Sequence, residues 1–298
     1  MIHRMDDDLD LAVRAALAGA RVGLEHFARV AALPVEAKAD GSPVTEADLA
    51  VERTVRRALS AERPDDAHLG EETGALGTGP RRWLLDGIDG TLVFVRGDDR
   101  WQSLVALEQD GEVTVGVAVV PARHRIWYAA KGRGAYTAGI GPDGLADARP
   151  LRVRGPGRGR PRVGLLPPVE LLPEHRRDEL RPVAERYAVA DWSVHAALLV
   201  AEGVLDAAVQ LGGALWDHAP LGLILTEAGG AFADPRGKGH PVVGTAVYAR
   251  DEALRAELGG LLLGTGRAAE GPVGVPAGLR VPGVGDGAPG DRDESTSG

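Results

Sequence analysis

The sequence predicts an α/β fold, on three observations. Apolar residues recur at helical spacing near the N-terminus. Two β-rich runs then meet at an Asp-Gly pair. Beyond about residue 145, short strand-like and longer helix-like segments alternate along the chain.

Leu9, Val13, Ala16, Ala20, Leu24 and Phe27 give residues 8–30 the stripe of an amphipathic helix. "KADGSPVTEADLAVERTVRRAL" reads as a polar loop running into a second helix. Thr45 is its N-cap, and Asp48 stands three residues on, as in a capping box. "WLLD" is a short buried strand. "SLVALEQDGEVTVGVAVV" is a hairpin turning at Asp110-Gly111, and "RIWYAA" and "GAYTA" continue the same sheet. Residues 139–162 are rich in Gly, Pro and Arg, and a soft boundary is placed near 145.

The second half begins with a strand at "RVGLL" and a helix at "EHRRDELRPVAERY". A helix at "VHAALLVAEG" and a strand at "VLDAAVQL" follow. "WDHAPLGLILTEAGG" is a helix closed by Gly229-Gly230. "PVVGTAVYA" is a strand and "DEALRAELGGLLL" a last helix. The organisation expected is an N-terminal α+β half (1–145), a C-terminal α/β half (146–264) and a disordered Gly/Pro-rich tail (265–298).

The 298 residues suffice for one large domain or two ordinary ones, and 44% are hydrophobic, enough for a sizeable core. The net charge is −9 with no basic run, which argues against a nucleic-acid face. There is no cysteine, so disulfides, thiolate metal sites and cysteine nucleophiles are excluded. No apolar run approaches the roughly 20 residues of a membrane span, and the N-terminus lacks a signal-like core. A soluble, cytoplasmic protein is expected, with no nucleic-acid or membrane partner.

The candidate chemistry lies in "WLLDGIDGTLVF". Asp86 ends an apolar run and would project into the crevice at the end of a strand. Asp89 follows in a tight turn. Two carboxylates held that close repel unless a cation separates them, and hard oxygen donors suit Mg²⁺ or Mn²⁺. Gly90 and Thr91 can offer backbone N–H groups to an anion. A plain Asp-Gly turn would leave the same trace, but three further segments carry carboxylates. "HLGEETG" holds Glu71 and Glu72, "SPVTEAD" holds Asp48, and "LWDHAP" places Asp217 at a helix start. Taken singly, Asp48 and Asp217 also read as helix caps.

Together, "KADGSPVTEAD", "GEE", "LDGIDGT" and "WDHAPLGLILTEAGG" resemble, in order, the motifs of the inositol monophosphatase family of Mg²⁺-dependent phosphomonoesterases. "FVRG", "LLVAEGVLD" and "LTEAGGAFAD" are similar to its histidinol-phosphate phosphatase branch. The resemblance implies an αβαβα sandwich, two or three metal ions per site, sensitivity to Li⁺ and a homodimer. It implies that Glu71, Asp86 and the Ile88 carbonyl hold a first metal, and that Asp86, Asp89 and Asp217 hold a second. A third, weaker metal would sit by Glu71 through water. Thr91 and Asp48 would polarise the attacking water, Asp89, Gly90 and Thr91 would meet the phosphate, and Lys38 would lie on a mobile loop. Gln210, Ser193, Asp191 and Lys38 would face the substrate, with Trp192 beside them and Glu72 behind the metals.

Two positions depart from the family. Gly87 stands where relatives carry proline, so restoring proline is expected to stiffen the turn and tighten the metal site. Gln210 stands where relatives carry a glutamate that contacts the leaving alcohol, and a neutral amide would bind a cationic amine less well. His218 reads as a neighbour of the metal site. The arginines between Arg152 and Arg162 read as a solvated loop. The function expected is Mg²⁺-dependent hydrolysis of a small ester (inositol, histidinol, sugar, cyclitol or nucleotide phosphate). The alternative is a weak or inactive metal- or phosphate-binding relative.

Overall fold

A computed structural model describes residues 7–38, 42–142 and 144–264. The first half contains α1 (Asp7–Phe27), β1 (Glu36–Ala37), β2 (Pro43–Val44), α2 (Glu46–Glu62), β3 (Ala67–Gly70), β4 (Gly74–Leu76), β5 (Arg81–Asp89) and α3 (Thr91–Phe94). It continues through β6 (Gln102–Gln109), β7 (Glu112–Val120), β8 (Arg125–Ala130), β9 (Ala135–Gly141) and β10 (Gly144–Pro150). Eight of these strands form one sheet in the order β10-β9-β8-β7-β6-β5-β3-β4. The hairpin turns where expected, with Asp110 at φ 53° and Gly111 at φ 80°, the positive angles that a two-residue turn demands. The sheet runs on past residue 145, because β10 pairs antiparallel with β9.

The second half contains β11 (Arg162–Leu166), α4 (Glu174–Arg186), β12 (Ala188–Val189), α5 (Ala196–Ala201) and β13 (Ala207–Gln210). It ends with α6 (Leu215–Glu227), β14 (Ala231–Ala233), β15 (Ala246–Ala249) and α7 (Glu252–Gly264). Its five strands are ordered β12-β11-β13-β15-β14. The last long strand is shorter than "PVVGTAVYA" predicts. Gly244, at φ 91°, gives its N–H to the Gly213 carbonyl instead of a ladder, so pairing starts only at Ala246.

The core shows five layers. Leu11, Val51 and Val55 of α1 and α2 pack on Leu85, Val105 and Val117 of the large sheet. Leu104, Ala118 and Trp127 on its other face meet Leu198 and Ile224 of α5 and α6, which also touch Ala208 and Tyr248 of the small sheet. Leu180, Val183, Leu254 and Leu258 of α4 and α7 cover that sheet's far side. The order is therefore α-β-α-β-α, as expected. It explains the unbroken apolar runs: β6 buries Val105 and Leu107 on one face and Leu104 on the other. It also explains α6, which is apolar all round because both neighbours are sheets. Residues 265–298, expected to be disordered, lie outside the described residues, and no helix among those described is long and apolar enough to cross a membrane.

Candidate active site

Strands β3 and β5 run parallel, with Gly70 beside Leu85, so the residues that follow them emerge at the same end of the sheet. Glu71 leaves β3 there, its N–H bonded to the Leu85 carbonyl at 3.1 Å. Asp86 comes next on β5. The register against β6 slips between Asp86 and Asp89, and Gly90 turns left-handed at φ 86° to start α3. Asp217 arrives from the middle layer, on the first turn of α6, where it accepts the Ala214 N–H at 2.7 Å. Carboxylate oxygens of Glu71, Asp86 and Asp217 lie within 4.8 Å of one another. Asp89 accepts from Gln102 Nε2 at 2.6 Å.

Neighbouring acids destabilise the ionised forms of Asp86 and Asp217. Burial pushes Asp86 well above the usual carboxylate range, and Glu71, Asp89 and Asp217 push it further. Burial, then Asp89 and Glu71, does the same to Asp217. Burial raises Asp89, against the bond from Gln102. Clustered oxygen-only donors, with Asp86 buried and Glu71, Asp89 and Asp217 half-buried, fit a hard divalent cation. Ile88 lies on the same wall. Among the described residues, Gln102 Oε1 is buried without a hydrogen-bond partner beside this cluster. Lys38 already supplies one positive charge, bonding both Glu71 and Glu72. Burial opposes that charge, but Glu71 and Glu72 outweigh it and raise the ammonium above its ordinary value.

Asp48 and Thr91 meet as the sequence suggests. Thr91 Oγ1 lies 2.9 Å from Asp48 Oδ1 and 3.1 Å from the Ile88 carbonyl. Asp48 Oδ2 accepts from Thr45 N at 2.8 Å and from Thr45 Oγ1 at 2.7 Å. The same carboxylate therefore closes the capping box and holds Thr91, and burial raises its pKa.

Glu52, one turn along α2, was not singled out from the sequence. It is fully buried and accepts from Glu72 N at 2.9 Å, Thr73 N at 3.0 Å and the Thr73 hydroxyl. It thus fixes the turn that carries Glu71. The expectation for Gly87 is corrected by the same helix. A β-carbon at Gly87 would stand 2.6 Å from the Asp48 carbonyl oxygen and 3.1 Å from Glu52 N, so proline does not fit. His218 is buried and neutral, its pKa lowered by burial to about 4. Both ring nitrogens are engaged, with Tyr248 at 2.8 Å and the Gly244 carbonyl at 2.9 Å, which makes it a support behind Asp217.

Carboxylates from the first half and Asp217 from the second line a cavity of about 250 Å³. Glu71, Asp86, Asp89 and Asp217 are in its lining, with Gly90 and Thr91. Gln210 is in the wall, at the end of β13. Asp191 and Ser193 are exposed and outside the lining, whereas Trp192 between them turns inward and donates to the Leu165 carbonyl at 3.0 Å. Lys38 sits on the glutamates rather than in the wall. The residues from Arg154 to Arg160 are exposed, away from the cavity. Arg100 and His195, which no motif marked, do line it. Gln102 could have been found by pairing, since it stands opposite Asp89.

The sequence matches the inositol monophosphatase family over residues 5–263. A Streptomyces griseus protein named glucose-1-phosphate thymidylyltransferase is 42% identical over 267 residues, spanning 88% of this chain and 98% of its own. A histidinol-phosphatase of Mycobacterium tuberculosis is 40% identical over 226 residues, spanning 72% of this chain and 83% of its own. Among solved structures, the extragenic suppressor protein suhB of Bartonella henselae superposes with a TM-score of 0.75 at 25% identity, over 86% of this chain and 98% of its own. With the layered fold and the carboxylate cluster, these matches establish that the chain belongs to the inositol monophosphatase family of phosphomonoesterases.

Proposed function

We propose that this protein hydrolyses a small phosphate monoester to an alcohol and inorganic phosphate with the help of Mg²⁺. The observation that carries the reading is the convergence of Glu71, Asp86 and Asp217 within 4.8 Å, in a cavity also lined by the Asp48-bonded Thr91. Glu71, Asp86 and the Ile88 carbonyl would hold one cation, and Asp86, Asp89 and Asp217 another. A third, weaker one would sit by Glu71, and Mn²⁺ could replace Mg²⁺. When bound, the cations offset the charge of the ester, acidify the attacking water and stabilise the leaving alkoxide.

The chain's own residues do the positioning. Thr91 gives its hydroxyl proton to Asp48, which leaves its oxygen lone pairs to accept from a water. The raised pKa of Asp48 makes it a better proton acceptor through that hydroxyl. The amides of Gly90 and Thr91 would hold the phosphate oxygens. Gln210 would meet the leaving alcohol. No nucleophilic side chain is required, because phosphoryl transfer depends on alignment and charge stabilisation.

Nucleotidyl transfer, the activity in the name of the Streptomyces griseus relative, is less well supported. The cavity of about 250 Å³ is small even for one drug-sized ligand, for which roughly 300–1,000 Å³ is usual. It would have to hold a nucleoside triphosphate and a sugar phosphate together. The reading extends to a cytoplasmic homodimer, with the dimer checked by mass in solution. The deciding experiment is phosphate release from a panel of phosphorylated metabolites, with and without Mg²⁺. Release that depends on the cation supports the proposal, and binding without release favours the inactive alternative.

A further inference from the structure

Arg100 is the one cationic side chain lining the cavity among the described residues. It precedes β6, in the N-terminal half, yet its guanidinium carbon lies 4.5 Å above the ring centre of Trp192, from the C-terminal half. The indole is fixed by its bond to the Leu165 carbonyl. The guanidinium is fixed by Asp98, which accepts from Nε at 2.9 Å and from Nη2, and which also takes the Arg100 N–H at 3.0 Å. Asp98 takes Nε and Nη2, no bond from Nη1 is found among the described residues, and its two protons are there to be donated.

The wall formed by Gln210 has the same polarity. His195 Nδ1 accepts the Ala197 N–H at 3.2 Å, so in the neutral ring the proton is on Nε2. Burial keeps the ring neutral by lowering its pKa to about 4. Nε2 lies 3.2 Å from Gln210 Oε1 and donates to it. The carbonyl end of Gln210 is therefore occupied, and its NH₂ end is the one left over. The orientation follows from the backbone N–H of Ala197, which can only donate. Of the lining carboxylates, Glu71, Asp86 and Asp217 converge within 4.8 Å of one another, and Asp89 already accepts from Gln102; the proposed function gives all four to the cations.

We propose that Arg100, stacked on Trp192, is a specificity-determining residue that turns the site away from alcohols carrying a basic nitrogen and towards hydroxylated alcohols without one. This rests on the phosphatase reading above. An ammonium or imidazolium group offers only donors and a positive charge. It would meet the guanidinium and the Gln210 amide donors with no free carboxylate to receive it. Hydroxyl groups can accept from both. Rejection here works by unpaired donors and like charge as much as by lost attraction.

The test compares kcat and KM for inositol 1-phosphate and histidinol phosphate at saturating Mg²⁺, in the unaltered protein and in Arg100→Gln. The unaltered protein should favour the cyclitol ester at least tenfold in kcat/KM. Arg100→Gln should shrink that ratio at least tenfold, mainly through KM, because the proposal assigns Arg100 to the alcohol and not to the reacting phosphate. A second measurement needs no variant: free inositol should inhibit the unaltered protein at concentrations where histidinol does not. A preference for histidinol phosphate, an unmoved ratio in a folded variant, or stronger inhibition by histidinol would overturn the assignment while leaving the phosphatase reading intact. Absence of release from every ester would overturn both.

Discussion

Gly87 on β5 and Asp48 on α2 are in backbone contact: a β-carbon at 87 would stand 2.6 Å from the Asp48 carbonyl oxygen. Strand and helix approach closely enough at this point that Asp48 reaches Thr91, and Glu52 reaches the turn after β3. Gly87→Ala or Gly87→Pro must push α2 outwards. Such overpacking costs about 1–3 kcal/mol. A lower melting temperature and weaker Mg²⁺ binding are expected for both variants. Equal or greater stability with tighter Mg²⁺ binding would show that the helix can yield.

Glu52 gives a second prediction. Glu52→Ala removes the acceptor for the amides of Glu72 and Thr73. A buried unsatisfied donor costs about 1–3 kcal/mol. The turn carrying Glu71 should loosen, so Mn²⁺ binding followed by electron paramagnetic resonance should weaken along with the melting temperature. A stability loss with unchanged Mn²⁺ affinity would limit Glu52 to a packing role.

Gln210→Glu should raise kcat/KM for histidinol phosphate relative to inositol 1-phosphate. A carboxylate attracts an ammonium, and charge-assisted bonds contribute about 1.5–3 kcal/mol against about 1 for neutral ones. Each 1.4 kcal/mol gained corresponds to about tenfold in the ratio. Metal dependence should not move. If the ratio stays put, Gln210 does not touch the alcohol.

The acid cluster predicts how stability depends on pH without metal. Asp86 and Asp217 have folded-state pKa values raised by burial and by their neighbours. The folded state therefore binds protons more readily than the unfolded one. Stability should rise as pH falls from neutrality towards the ordinary carboxylate range, and be lost again as pH rises through the raised values. A bound divalent cation removes that repulsion, so the Mg²⁺-induced rise in melting temperature should be larger at pH 8 than at pH 5.5. A larger rise at the lower pH would mean the cluster is not where Mg²⁺ acts.

Much of the fold was legible because each element announced itself locally. Thr45 and Asp48 form the expected capping box, and Asp110-Gly111 forms the expected turn. The carboxylates of the cavity could be read because each sits at an element boundary: Glu71 after β3, Asp86 and Asp89 at the end of β5, Asp217 at the start of α6. What could not be read depends on contacts between segments distant in the chain. The fit of Gly87 depends on how closely α2 packs. The role of Glu52 depends on a turn twenty residues on. Arg100 lines the cavity over Trp192, which comes from the other half of the chain. Asp191 and Ser193 failed to reach the cavity because the segment that turns Trp192 inward leaves its neighbours outside.

The central claim is that Glu71, Asp86, Asp89 and Asp217 hold the divalent cations on which phosphate release depends. The most direct measurement is release of inorganic phosphate by the purified protein before and after excess chelator, then after Mg²⁺ is restored, beside Asp86→Asn treated identically. Turnover should stop with the chelator, return with Mg²⁺ and be lost in Asp86→Asn even at saturating Mg²⁺. Full turnover in excess chelator, or an Asp86→Asn protein as active as the unaltered one, would contradict it.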